Sequence, residues 1–362
     1  MTWDVGAPGG HQGLPSEIAL AGAGRFDFVA VSRSLQPELA STVEWLRVRA
    51  PTAPFRLRWL GFYLAGAPQV ARARADVVHT FAPAPLVPNR VDLATVNFCH
   101  AGFHEAGGSA GRLTSRMTLA LERWSYSGSR TRLIEIETEA AAEAFGRHYP
   151  GAQVEVVRRR LDVDRYRPDP DARSAIRREL GASGDTVVAV FAGRDHHAKG
   201  LRFAIEGAAI AQRTVDAPLA LWVTGYDDSG YVGRMAARAG IESQVQALGW
   251  RSDMDRLYAG ADMLVLPSVY EQGSRASHEA AATGLPLVAT PVHGATALIG
   301  DDEGGIRVRR DAESVAEAVA RLASDPDLRS RMGRAARERL LELNAGADHT
   351  ARFLDLYDRL AA

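Results

Sequence analysis

Val187-Val188-Ala189-Val190-Phe191-Ala192-Gly193-Arg194-Asp195-His196-His197-Ala198-Lys199-Gly200 is the stretch whose reading decides the fold. Its first six residues are apolar without interruption, then come glycine, an arginine, a lysine, and apolar residues at helical spacing over Leu201–Gln212. A continuous apolar run that turns through glycine into a helix reads as a parallel strand buried on both faces. Backbone amides and a cation at such a turn are suited to phosphate. Lys199 is the only lysine among the 43 basic residues of the chain. A compact, hydrated ammonium replaces the planar guanidinium used everywhere else. A surface lysine left by drift is the alternative reading of that position.

Further apolar runs follow at Leu219–Thr224, 245–248, 263–267, 285–289 and 306–308, with helical spacing at 231–239. Strands alternating with helices predict a parallel sheet covered on both faces. Ligands of such sheets sit on the loops beyond the carboxyl ends of the strands. The first half alternates less cleanly. Strands are expected at 28–31, 76–80, 94–98 and 154–157, and helices at 114–124 and 139–149. The segment 158–170 is rich in charge and carries Pro168 and Pro170, which marks a linker. Helical stretches at 327–343 and 349–360 are separated by Asn344 and Gly346, a stop signal. The fold class expected is therefore α/β with two domains, at 1–168 and 169–345.

Composition narrows the function. A length of 362 residues suits two domains, and a net charge of −1 argues against a general nucleic-acid binder. The single cysteine, Cys99, excludes an intrachain disulfide framework and a cysteine-based zinc site. The N-terminus shows no signal peptide and no apolar stretch is long enough to span a bilayer, so a cytoplasmic setting is expected. The preference for arginine over lysine and the abundance of alanine suggest a GC-rich, bacterial genome.

Glu271-Gln272-Gly273-Ser274-Arg275-Ala276-Ser277-His278-Glu279 follows the run at 263–267. If a helix begins near Ser274, Glu271 stands on the loop before it and Glu279 stands inside it. The two carboxylates can then address different parts of one extended ligand, while the amides of Gly273, Ser274 and Arg275 point between them. A capped amphipathic helix with solvated acids is the bland alternative.

Three sets of residues together resemble the family 4 retaining glycosyltransferases. They are Pro267-Ser268…Glu271…Glu279 continuing to Gly284-Leu285-Pro286, Gly193-Arg194…Lys199-Gly200, and Ala247-Leu248-Gly249-Trp250 followed by Tyr258-Ala259-Gly260-Ala261-Asp262. The likeness covers about 185–345 and is fainter in the first half. It implies the GT-B architecture, two Rossmann-like domains facing each other across a cleft, with a last helix near 346–362 crossing back to the first. The N-terminal domain would bind acceptor and the C-terminal domain a nucleotide-diphosphate sugar.

By that resemblance Arg194 and Lys199 would hold the diphosphate, Glu279 the ribose and Glu271 the donor sugar. Gly273, Ser274 and Arg275 would give amides to phosphate and sugar, and Gly225, Leu248 and Gly249 would border the base. In the first half, Gly9-Gly10 has the spacing of the family's first loop, where a missing Cβ lets backbone approach a ligand. His100, closing Thr95-Val96-Asn97-Phe98-Cys99-His100, matches a strand-end histidine near the reaction centre. Two departures stand out. Arg159-Arg160 occupy an Asn-Gly position, and His278 replaces an apolar residue.

The activity implied is transfer of a sugar to an acceptor hydroxyl with retention of configuration, of hexosyltransferase type. A nucleotide-sugar epimerase or hydrolase on the same fold, or a non-catalytic nucleotide-sugar binder, are the alternatives. No cofactor and no metal are expected. The Asp-x-Asp strings at 162/164, 169/171, 253/255 and 325/327 fall in the linker or at helix starts, where aspartate is favoured. The partners expected are the nucleotide sugar and a small-molecule, glycan or lipid-linked acceptor, with no nucleic acid. Arginines and aromatics between Trp45 and Arg74 could dock a surface helix on an anionic membrane, but burial of those aromatics is the reading adopted.

Overall fold

Val187–Ala192 is a strand with every residue buried, at the centre of a six-stranded parallel sheet. The structure, a computed structural model, describes residues 2, 4–5, 13–50, 55–81, 91–109, 111–128, 130–225 and 229–362, with the side chains of 4, 55–60 and 112 excepted. It divides into two units, Met1–Arg159 with Ala347–Ala362, and Arg160–Gly346. The division falls at 159/160, whereas 168/169 was expected. The reason is packing: Leu161 and Tyr166 belong to the second unit's core, and the Asn344 side chain holds the Leu161 backbone through two hydrogen bonds.

In the second unit the strands lie in the order Val245–Gly249, Leu219–Thr224, Val187–Ala192, Met263–Leu266, Leu287–Ala289, Gly305–Arg307. All pairs are parallel. Chain order reverses on either side of Val187–Ala192, so the loops after that strand and after Met263–Leu266 meet at a topological switch point. Helix Ala312–Ser324 packs on helix Leu201–Gln212. That contact needs the bare Cα of Gly207, where a Cβ would lie 2.6 Å from Val315 Cγ1. The Asp-x-Asp strings are spent on local structure. Asp169 and Asp325 cap helices, Asp162 accepts from two backbone amides, and Asp253 pairs with Arg251 and Arg256.

The first unit holds a parallel four-stranded sheet, His79–Thr80, Val91–Thr95, Thr131–Ile136 and Val154–Val156, and two parallel two-stranded pairs. The strand expected at 94–98 runs instead over Val91–Thr95. Asp92 concealed its start: this buried carboxylate accepts from the Val78 amide at 3.0 Å. Strand Thr131–Ile136 was not expected, since Arg132 and Glu135 interrupt its apolar pattern. The C-terminal helix His349–Ala361 packs Phe353, Leu354, Leu356, Tyr357 and Leu360 with Leu14, Ile18, Leu93 and Val157.

The stretch 45–74 is not the single helix that was expected. Trp45 and Arg47 lie on strand Val43–Arg47, and helix Phe55–Ala73 begins ten residues after Trp45. Phe62 and Tyr63 are buried. Among the described residues no helix is long and apolar enough to cross a membrane.

Candidate active site

The second unit assembles its candidate site from the carboxyl ends of four adjacent strands. After Val187–Ala192 comes Gly193, whose amide donates to Thr224 O at 3.1 Å. After Leu219–Thr224 comes Gly225, whose amide donates to Gly249 O at 2.9 Å. Thr224 Oγ1 donates to the same carbonyl at 2.8 Å. A Cβ on Gly225 would lie 2.0 Å from Gly193 O, so only glycine permits these strand ends to close together. Gly225 and Gly249 are thus neighbours, with half-buried Leu248 beside them.

The turn from Asp195 to Gly200 is built by its own backbone. Lys199 N donates to Asp195 O at 2.8 Å and Ala198 N to Asp195 Oδ1 at 2.9 Å. Gly200 has φ +81°, and a Cβ there would lie 2.2 Å from Pro267 O. Arg310 Nη2 braces the turn from outside, donating to His197 O at 2.7 Å. These contacts fix where Lys199 leaves the chain. Arg194 lies on the same stretch, with an exposed side chain.

Lys199 Nζ reaches across to Glu271 and makes an ion pair and hydrogen bond with Oε1. The Glu271 side chain is only 9 % exposed and also accepts from Ser268 Oγ at 3.0 Å. Thr290 Oγ1 donates to Ser268 O at 2.6 Å, and Val269 N donates to Ala198 O at 2.8 Å. The two loops of the switch point are therefore tied together by backbone as well as by charge.

Helix Arg275–Ala282 starts at the residue after Ser274, which holds a left-handed conformation with φ 38°. That is a costly conformation for a residue with a Cβ. Ser274 Oγ lies 2.7 Å from Ser277 Oγ, and His278 Nδ1 lies 3.2 Å from Ser274 O. His278, half-buried, thus bonds the turn where an apolar residue was expected. Gly273 and Ser274 press on Gly294 so closely that a Cβ there would lie 2.4 Å from Gly273 C. Glu279 is buried on the helix and accepts from Arg275 Nε at 2.9 Å. Tyr166 and Tyr258 lie close to it, and burial first, then the Glu279 charge, raises both phenols above their ordinary range.

The sequence reading gave no role to Ser268, although it lies in the quoted motif, or to Thr290, and it passed over Gly294 and Arg310. Gly294 carried no local signal, because its role is a close approach to residues 20 positions upstream. His100 lies in the first unit, at the start of helix His100–Glu105 and beyond the carboxyl end of strand Val91–Thr95. Gly9 and Gly10 lie outside the described residues. Among the described residues no group of three or more His, Cys, Asp or Glu could hold a metal ion.

The second unit thus carries Lys199, Glu271 and Glu279 on and just after the loops at the switch point of a parallel sheet. Residues 172–339 match the family model for glycosyl transferases group 1. The D-inositol 3-phosphate glycosyltransferase of Saccharomonospora viridis is 30% identical over 217 residues, covering 56% of this chain and 50% of that protein. The chain thus spans about half the length of the curated relatives it matches. Among solved structures, WaaG, described as a glycosyltransferase involved in lipopolysaccharide biosynthesis, covers the whole chain with a TM-score of 0.82 at 22% identity. That structure is itself covered over 98% of its length. HepE of Anabaena, solved with UDP-glucose, gives a TM-score of 0.71 at 18% identity, with 98% of each chain covered. The fold is GT-B, built from two Rossmann-like domains.

Proposed function

We propose that the protein is a glycosyltransferase that moves a sugar, of hexose type, from a nucleoside-diphosphate sugar to an acceptor hydroxyl, with retention of configuration. The observation that carries this reading is the Lys199–Glu271 pair at the switch point of the second unit's sheet. In this reading the cation would hold the diphosphate and the carboxylate beside it the sugar hydroxyls. HepE, of similar fold, was solved with UDP-glucose, which supports a nucleotide-sugar donor here. The first unit would take the acceptor, with His100 near the reacting sugar.

The chemical difficulty is charge. Breaking the bond from C1 to the leaving oxygen releases a diphosphate anion and leaves a sugar with cationic character. Arg194, Lys199 and the amides of Gly273, Ser274 and Arg275 would stabilise that anion without reorganisation. Amides at the start of a helix have no partner within the helix, which suits them to this role. The acceptor oxygen would form the new bond on the face from which the phosphate departs, and its proton would pass to the leaving phosphate. Glu279 would anchor the ribose, and Gly225, Leu248 and Gly249 would flank the base. With cationic side chains in these places the reaction is proposed to need no metal. A cytoplasmic location is proposed from the single, buried thiol of Cys99.

Incubation with candidate UDP-, GDP-, ADP- and dTDP-sugars tests the reading. Nucleoside diphosphate should accumulate only when an acceptor is present, and the product should keep the donor's anomeric configuration. Equal release without acceptor would make the protein a hydrolase.

A further inference from the structure

The first unit contains a wholly buried carboxylate that the sequence reading passed over. Glu122 lies on helix Arg112–Tyr126, where it is the only acid. Its Oε1 accepts from His100 N at 2.7 Å and lies 2.8 Å from His100 Nδ1. Its Oε2 accepts from Ala101 N at 3.1 Å and Tyr149 Oη at 2.9 Å, with Cys99 Sγ at 3.9 Å. Removing a carboxylate from water is costly unless donors surround it. Here every one of those donors comes from Tyr149 or from the Cys99–Ala101 turn. Among the described residues Glu122 forms no ion pair with lysine or arginine.

This arrangement dictates the imidazole's orientation. A carboxylate at 2.8 Å from Nδ1 requires a proton on that nitrogen. The ring then turns Nε2 away from Glu122, and 26 % of the His100 side chain is exposed. Phe98 stands edge-on to the ring at 5.1 Å and limits its rotation. Cys99 is no rival for reactivity, because burial and the Glu122 charge push its thiol up to about 12.

We propose that Glu122 is a positioning residue for His100, holding the proton on Nδ1 so that bare Nε2 accepts a hydrogen bond from a substrate hydroxyl. The inference rests on the reading of His100 as a residue near the reacting sugar. It goes beyond that reading by naming the nitrogen presented and the group that fixes it. A purely structural Glu122 would tie two helices together without any bearing on the imidazole's chemistry.

The test combines a spectroscopic and a kinetic arm on the full chain. Imidazole 15N shifts of His100, assigned by their loss in His100→Ala, should report protonated Nδ1 and bare Nε2 at pH 8. Glu122→Gln should move the ring toward the Nε2–H tautomer. It should lower kcat by about tenfold, the worth of one well-aimed hydrogen bond, with donor KM little changed. Added to His100→Ala, it should cost nothing further. An Nε2-protonated ring in the parent protein overturns the inference, as do losses that multiply in the double variant. Full turnover in His100→Ala also overturns it, while leaving the transferase reading, which stands on Lys199, intact. Should Glu122→Gln not fold, the parent spectrum alone decides.

Discussion

Gly294 stands so close to the Gly273–Ser274 peptide that a Cβ would fall 2.4 Å from Gly273 C and 2.5 Å from Ser274 N. Both neighbours are backbone, so neither can swing aside. Gly294→Ala must push the turn that carries the proposed phosphate-binding amides. The expected result is a fall in kcat/KM for donor of up to ~10²-fold, the scale of an ångström's misplacement. Gly233, on helix Ser229–Ala239, is the control, because a Cβ added there would meet nothing within 4 Å. Steady-state kinetics of both alanine variants check this, with Gly233→Ala expected near the parent rate.

Glu279 gives a second prediction. It is the proposed ribose contact, and in the structure it accepts from Arg275 instead. Glu279→Gln should raise donor KM by about tenfold while changing kcat less, the pattern of lost ground-state binding. An unchanged KM with a collapsed kcat would move Glu279 to the reacting centre.

Much of the second unit was legible because its residues obey one rule at a time. Val187–Ala192, Leu219–Thr224 and Leu201–Gln212 have the bounds that unbroken apolar runs and helical spacing imply. Lys199 and Glu271, which the structure pairs, could be picked out because both stand on loops near glycines. The first unit was harder because its strands and one of its helices bury charge. Asp92, Glu135 and Glu122 each sit inside the fold with hydrogen-bond partners contributed from elsewhere in the chain. No local pattern announces an acid buried in this way. The solitary acid on helix Arg112–Tyr126 was the one available signal for Glu122.

A third prediction concerns pH. Tyr357, His79, Thr95 and Glu135 form a buried chain: Tyr357 Oη to His79 Nδ1 at 2.7 Å, His79 Nε2 to Thr95 Oγ1 at 2.9 Å, and Thr95 Oγ1 donating to Glu135 Oε2 at 2.7 Å. Burial pushes Glu135 up to about 7, against the lowering effects of Arg159, Thr95 and His349, while Glu137 adds to the rise. Between the ordinary carboxylate pKa of ~4.3 and that value, the folded chain holds a proton that the unfolded chain releases. Stability from this group is therefore complete at lower pH and declines as pH rises through the window. The loss is on the order of 4 kcal/mol at ~1.4 kcal/mol per tenfold in proton affinity. His79, held well below its ordinary pKa by burial, acts in the opposite sense and costs stability as pH falls. Glu135→Gln isolates the first effect. Its Tm advantage over the parent should be larger at pH 8 than at pH 5, and a constant difference would contradict the assignment.

Metal removal supplies a fourth. The proposed stabilisation of the leaving diphosphate comes from Arg194, Lys199 and backbone amides. Excess chelator should leave the initial rate of transfer unchanged, and a rate restored only by a divalent ion would contradict the proposal.

The central claim is that Lys199, paired with Glu271 at the switch point of the sheet, grips the diphosphate of the donor. Titration calorimetry with UDP, GDP, ADP and dTDP tests it most directly, on the parent and on Lys199→Ala. Lys199 is partly exposed at 25 % of its side chain, so the variant should fold. One nucleotide should bind the parent and bind Lys199→Ala at least ~10-fold more weakly, the scale of a lost charge-assisted hydrogen bond. Equal affinity for the two proteins would contradict the claim.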